Sequence, residues 1–325
     1  MAEKSKTNLL KDFHQEKTPE EKKKIRLVLL FLFGLTTILI ALAVVYRELP
    51  GLIREMSDFT TVVTQDFPEK PTAIPTPRFN DLKDRVEQIL VPLRGNYGIY
   101  FQSLETSESF SINGRESFTA ASLIKLPVML TLYREADAGR INLDDAYSLK
   151  ESDRTNGAGP LQYKPSGYQI TYREMSQLMG EQSDNTAFTI VSRLLGEEKI
   201  QATIDALGMK NTSFDKNMTT PEDIGLFFER LYRGRVVTDK SKEEILSFLT
   251  KTIWEDRIPA GIPKEIKVSH KIGTEIRVIS DAGIVFSDSP FILAILSQNV
   301  NEIEAKKALP EITATIYELS QNMGD

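Results

Sequence analysis

The sequence predicts an α/β fold of the α+β kind: one antiparallel sheet flanked by N- and C-terminal helices, with an all-α subdomain inserted between its strands. Three observations predict it. Strand-like segments stand at both ends of the folded part, the long stretch between them has helical spacing, and an amphipathic helix opens and another closes it.

The opening helix is read from Leu82, Val86, Ile89 and Leu90, spaced to share one helical face, and is ended by Pro92 and Gly95. Gly98 to Leu104 and Glu108 to Ile112 follow as strands, with Asn113-Gly114 as a turn signal. From Ala120 to about Leu207 the pattern is mostly helical. It returns to strands at Ile266 to Ile272, Arg277 to Phe286 and Phe291 to Leu296, the last two joined by Asp288-Ser289-Pro290. In the closing helix, Ile303, Ala308, Ile312, Ile316 and Leu319 fall on one side, with Pro310 a local defect.

Ahead of this lies a different kind of sequence. Leu27 to Val45 is an uncharged run of 19 residues, close to the ~20 that cross a bilayer as a helix. Lys22, Lys23, Lys24 and Arg26 precede it, while Arg47 and Arg54 follow more thinly, so the positive-inside rule places the N-terminus in the cytoplasm. The small-x-small triplet Ala41-Leu42-Ala43 lies inside the apolar run, which favours a retained anchor over a cleaved signal peptide. Pro68, Pro71, Pro75 and Pro77 then mark an extended tether. The expected organisation is a cytoplasmic tail at 1–26, a transmembrane helix at 27–46, a linker at 47–77 and an extracytoplasmic domain at 78–325.

Composition removes several function classes. The 325 residues carry a net charge of −6, with the basic excess confined to the tail, so the folded part suits no nucleic acid. With no cysteine there is no disulfide, thiolate nucleophile or Cys-based zinc site. His14 and His270 are the only histidines, so a multi-histidine metal site is not available, and a Ser-His-Asp triad would have to use His270. No metal or cofactor is expected.

Three short motifs carry the chemistry. In Thr119-Ala-Ala-Ser122-Leu-Ile-Lys125, a lysine follows a serine at i+3, which puts hydroxyl and amine on one helical face. Pro127 marks the first turns of that helix and Gly139 its stop. Backbone N–H groups near a helix start could also stabilise an oxyanion. Taken singly, this pair is no more than an ordinary surface helix. The second motif is Ser183-Asp184-Asn185 between two helical stretches, which alone reads as a helix N-cap. The third is Lys271-Ile272-Gly273-Thr274 on a strand, where glycine permits close approach of another backbone.

Together and in this order the three resemble the S-x-x-K, S-D-N and K-T-G set of class A β-lactamases and penicillin-binding proteins. Leu161-Gln-Tyr163-Lys-Pro165 is similar to the family's aromatic gate segment, and Arg257-Ile-Pro-Ala-Gly261 to its pre-strand turn. The resemblance runs from about Arg78 to the C-terminus and implies the β-lactamase/transpeptidase-like fold. It implies Ser122 as the acylated nucleophile, Lys125 as the group that accepts its proton, Ser183 as a proton shuttle and Lys271 as an attractor of the substrate carboxylate. It further implies Asn185, Gly273, Thr274 and Tyr163 as substrate-binding residues, with the N–H groups of Ser122 and Thr274 as the oxyanion hole.

Two departures narrow the expectation. The segment Met209 to Pro221, where the family has a loop bearing the deacylating glutamate, contains no glutamate and is short. Glu222, just beyond, reads as a first-turn carboxylate favoured by the helix dipole. Ile272 stands where the motif has a hydroxyl, which removes a donor to the substrate carboxylate. His270, if the strand alternates, faces away from Lys271. The sequence therefore points to a membrane-anchored serine hydrolase that acylates on β-lactam or D-alanyl peptide amides and deacylates slowly. The alternatives are an efficient β-lactamase with another base and a non-catalytic cell-wall binding module.

Overall fold

The computed structural model describes residues 77–321, together with Arg26, Leu30 and residues 33–37. Apart from those few helical positions, the expected membrane segment Leu27 to Tyr46 lies outside the described residues, as do the charged tail and the linker. Among the described residues no helix is long and apolar enough to cross a membrane. The chain divides into two units between Asp66 and Phe67, and the sheet and its helices all belong to the second.

Helix α1 (Pro77–Leu90) leads into strands β1 (Asn96–Ser103) and β2 (Ser109–Ile112). Far along the chain come β7 (Lys267–Glu275), β8 (Val278–Phe286) and β9 (Phe291–Gln298), and α8 (Glu302–Gln321) closes the fold. The five strands form one sheet in the order β2-β1-β9-β8-β7, every pair antiparallel. The first and last strand groups meet along β1 and β9, with Ile99 opposite Ile295 and Phe101 opposite Leu293.

Both faces of this sheet are covered, which is why β9 opens as a continuous apolar run and why every residue of β8 but Phe286 is buried. Alternate residues Ile99, Phe101, Leu293 and Ile295 pack against Leu82 and Val86 of α1 and Leu309, Ile312 and Ile316 of α8. Their neighbours Ala282, Ile284, Ala294 and Leu296 face the helical part through Ile224, Phe227 and Phe228. Those three belong to α6 (Pro221–Arg233), capped by Thr220, whose hydroxyl accepts from the Asp223 N–H. Gly225 lets α6 lie on the sheet, since a Cβ there would run into the Tyr100 ring.

The closing helix departs from expectation at one residue. Ile303 is exposed, and the buried face runs through Ala305, Ala308, Leu309, Ile312 and Ile316. At about 100° per residue Ile303 points well off that line, so its apolar character did not bring it into the core. Pro310 sits within α8 without ending it.

The inserted part holds α2 (Lys125–Asp137), α3 (Tyr172–Glu181), α4 (Asn185–Leu195), α5 (Glu197–Leu207) and α7 (Asp239–Thr250). Two small strand pairs accompany these helices: β3 (Phe118–Thr119) with β6 (Met218–Thr219), on either side of the 120–207 stretch read as helical, and β4 (Ala146–Ser148) with β5 (Gln169–Thr171), which interrupts it. Strands of two or three residues are too short to show a period of two, so the sequence carries no pattern for them.

Phe101 is fully buried and touches Phe79, Phe110 and Phe291, ring centres 5.4 to 5.8 Å apart. Phe101→Ala is expected to lower the free energy of unfolding by about 3–5 kcal/mol, read from denaturant titrations of the two proteins.

Candidate active site

Ser122 stands on a bend that the neighbouring strands impose. Strand β3 pairs with β6, and the next N–H, of Ala120, donates to the Asn217 carbonyl at 2.9 Å. Ala121 then turns into the left-handed region with φ 48°, a conformation that disfavours side chains with a Cβ and persists only where the surroundings over-determine it. A 3₁₀ turn, Ala121–Ile124, carries Ser122 and runs directly into α2, where Pro127 occupies the first turn and lacks an N–H that would be orphaned anyway.

At the start of α2, Lys125 is buried, and its Nζ is surrounded by oxygen. It lies 2.9 Å from Ser122 Oγ, 2.6 Å from the Ser183 carbonyl, 3.2 Å from Ser183 Oγ and 2.7 Å from Asn185 Oδ1. Burial disfavours the ammonium and takes the Lys125 pKa down to about 7, against a weaker opposing pull from Asp184. An amine that is half deprotonated near neutrality and touches a serine hydroxyl can take its proton.

The Ser183-Asp184-Asn185 segment is both a cap and a part of the site. Asp184 is the N-cap of α4, accepting from the Ala187 N–H at 2.8 Å, and its other oxygen accepts from the Leu161 N–H at 2.8 Å. This ties the 161–165 segment to the start of α4. Ser183 has φ 56°, and in that left-handed turn its carbonyl and hydroxyl both reach Lys125. The Asn185 amide is fixed at both ends, its oxygen by Lys125 and its nitrogen by the Asn156 carbonyl at 3.0 Å.

Strand β7 supplies the opposite wall. At Gly273 a Cβ would lie 2.9 Å from the Ala120 carbonyl, so the glycine is what allows the strand to approach the serine turn. Lys271 is fully enclosed, and its Nζ donates to the Ile272 carbonyl at 3.2 Å; the Ser183 hydroxyl is engaged by Lys125. Burial first, and then the charge of Lys125, hold Lys271 well below the ordinary lysine range. His270 and Ile272 occupy the other face of the strand, as alternation requires.

A cavity of about 720 Å³ opens beside these groups, with Ser122, Lys125, Asn185 and Thr274 on its wall. Phe214, Asp215 and Asn217, from the short segment between α5 and β6, line it as well, together with Glu275. Ser183, Lys271 and Gly273 are not among its lining residues, nor is Tyr163, which is 79% exposed. Glu222 lies elsewhere, accepting from Ser111 Oγ and paired with Arg115, both at 2.9 Å. No carboxylate among the described residues hydrogen-bonds Ser122 or Lys125.

Sequence reasoning missed two contributors. Arg257, buried, donates to the carbonyls of Gly273 at 3.1 Å and Ser280, and to Thr274 Oγ1 at 2.6 Å. Its only signal was the likeness of the Arg257 to Gly261 turn. Asn217 bonds the serine turn through its backbone, which no side-chain pattern records.

A family model described as the beta-lactamase enzyme family matches residues 81–320. The chain belongs to that family. It is 25% identical to a beta-lactamase of Bacteroides uniformis over 244 residues, covering 66% of this chain and 81% of that one. With beta-lactamase CARB-4 of Pseudomonas aeruginosa it shares 22% over 263 residues, covering 74% of this chain and 91% of the other. Among solved structures, PBP-A superposes with a TM-score of 0.71 at 25% identity, over 75% of this chain and 97% of its own. A beta-lactamase of Sphaerobacter thermophilus does so at 0.70 and 25%, over 75% and 98%. This member of the beta-lactamase family is thus a serine hydrolase of the class A and penicillin-binding kind, with the expected sheet-and-helix fold.

In it, Asp184 joins two parts of the site through two buried bonds. Asp184→Ala is expected to destabilise the protein by about 2 kcal/mol or more, by loss of the cap and exposure of an unsatisfied N–H, measured as a fall in thermal unfolding midpoint.

Proposed function

We propose that the chain forms an acyl-enzyme at Ser122 on β-lactam or D-alanyl peptide amides and releases it slowly. The observation that carries this reading is the buried Lys125 amine 2.9 Å from Ser122 Oγ with a pKa of about 7. Lys125 takes the hydroxyl proton as Ser122 attacks the carbonyl. The Ser122 and Thr274 N–H groups receive the oxyanion, and Ser183 passes the proton toward the leaving nitrogen. Asn185 and Thr274, both on the cavity wall, hold the substrate amide and carboxylate. Thr274 Oγ1 accepts from Arg257, so its hydrogen is left to donate, which offsets the hydroxyl that Ile272 lacks. Arg257 adds positive potential beside Thr274. Tyr163 belongs to the substrate approach through the segment that Asp184 ties down.

The penicillin reading is supported by a solved acyl-enzyme complex of a PBP-A variant with penicillin G, 25% identical over 77% of this chain. The segment 209–221 supports slow release. It contains no glutamate, and its one carboxylate, Asp215, is exposed and bonded to Ser213. The run Leu27 to Val45, with its basic flank, supports a membrane anchor that leaves the domain at 78–325 outside the cell.

Incubation with a labelled penicillin is expected to leave a persistent adduct on Ser122 by mass spectrometry, absent in Ser122→Ala. Rapid turnover without accumulation would instead indicate a second base. The acylation rate should rise with pH through about 7, as Lys125 loses its proton, then level off. Lys125→Ala should slow it by about 10²- to 10⁴-fold. The full-length chain is expected in the membrane fraction of expressing cells, and a chain starting at residue 67 in the soluble fraction.

A further inference from the structure

On the face of β7 turned away from Lys271, a buried ion pair crosses to the neighbouring strand. His270 stands opposite Gly283, and Ile272 opposite Asp281, so the imidazole reaches diagonally along β8. Its Nδ1 lies 2.8 and 2.9 Å from the two Asp281 oxygens, and both residues are fully buried. Gly283 makes the room, since a Cβ there would come 2.6 Å from that of His270. Asp281 Oδ2 also accepts the Ile258 N–H at 3.1 Å, which fastens the 255–258 loop to the sheet. The residue before Ile258 is Arg257, whose guanidinium passes beneath β7 to the Gly273 and Ser280 carbonyls and to the Thr274 hydroxyl.

We propose that His270 and Asp281 are a positioning pair for acylation: by fixing Ile258 they set Arg257, and Arg257 orients the Thr274 hydroxyl toward the carboxylate of the substrate. The proposal rests on the acyl-enzyme reading above. It extends that reading to two residues that touch neither Ser122 nor the cavity, and it gives a reason for a histidine directly before Lys271. Because Ile272 contributes no hydroxyl, the recognition of a carboxylate depends on Thr274, and Thr274 depends on where Arg257 lies.

The charges around His270 define how pH acts on the pair. Asp281 faces it from β8, and Glu255 Oε1 lies 3.9 Å from Nε2 on the loop side. Asp256 accompanies Arg257, and Lys271 occupies the opposite face of the same strand. Burial disfavours the imidazolium, but Asp281 and then Glu255 outweigh it and push the His270 pKa up to about 9. A pKa raised on folding gives stabilisation that is complete below the ordinary histidine value of about 6.5. That stabilisation is lost as pH rises through about 9. Lys125, at about 7, titrates well before this.

The test compares Ser122 acylation by penicillin G with acylation by its methyl ester, which lacks the carboxylate. In full-length His270→Ala and Asp281→Asn, the rate with penicillin G is expected to fall about tenfold or more, while that with the ester changes by less than about threefold. Parallel loss with both compounds would make the pair merely structural and overturn the proposal, as would an unchanged ratio in a folded variant. Should neither variant fold, full-length Arg257→Lys decides: the penicillin-to-ester rate ratio is expected to fall about tenfold, and an unchanged ratio overturns the proposal. Failure of the wild-type chain to form any adduct is a separate outcome, which overturns the acyl-enzyme reading and this proposal with it.

Discussion

The site is organised by the burial of one amine. Lys125 reaches four oxygens, from Ser122, from the backbone and side chain of Ser183, and from Asn185, and thereby joins the serine turn to the start of α4. Satisfying it fixes several things at once: the left-handed turn at Ser183, the orientation of the Asn185 amide and the approach of α4 to α2. The same burial weakens its hold on a proton. A lysine whose folded pKa is about 7 costs the fold on the order of 4 kcal/mol at neutral pH, a penalty that fades only as pH rises toward the ordinary range. A surface lysine would carry none of it.

Around this centre the fold acts as a frame. The sheet is held between two apolar layers, so β7 cannot shift without disturbing both, and Gly273 brings it against the serine turn. The other wall hangs from Asp184, whose two carboxylate oxygens take backbone N–H groups from separate segments. Rigid supports on each side leave the cavity to be shaped by the short 209–221 segment. That segment supplies Phe214, Asp215 and Asn217 where a glutamate-bearing loop would lie in class A enzymes. Lys125 and Asn185 thus stand at the starts of packed helices, with Ser122 and Ser183 beside them, while the 209–221 segment contains no glutamate.

Much of the arrangement is legible in the chain. The strand groups at the two ends, the opening and closing helices, and the face of β7 that carries His270 all follow from spacing. The segment Ser183-Asp184-Asn185 caps α4 through Asp184, while its two neighbours reach Lys125. Ile303 misled because hydrophobicity says nothing of angle at a helix end. The short pairs β3–β6 and β4–β5 were hidden because two or three residues have no period.

By itself the sequence determined the residue types and their order: a serine with a lysine one helical turn on, the Ser-Asp-Asn cap, the strand with Lys271 and Gly273, and the missing glutamate. These are local, set by spacing along one element, and so can be read from one dimension. Only the tertiary structure decided which groups meet. It enclosed Lys125 and weakened its hold on a proton, left Tyr163 exposed, set Lys271 against the Ile272 carbonyl, and brought Arg257 under Thr274. Each of these depends on contacts between segments distant in the chain, and burial, which sets the protonation of every amine in the site, exists only once those segments pack.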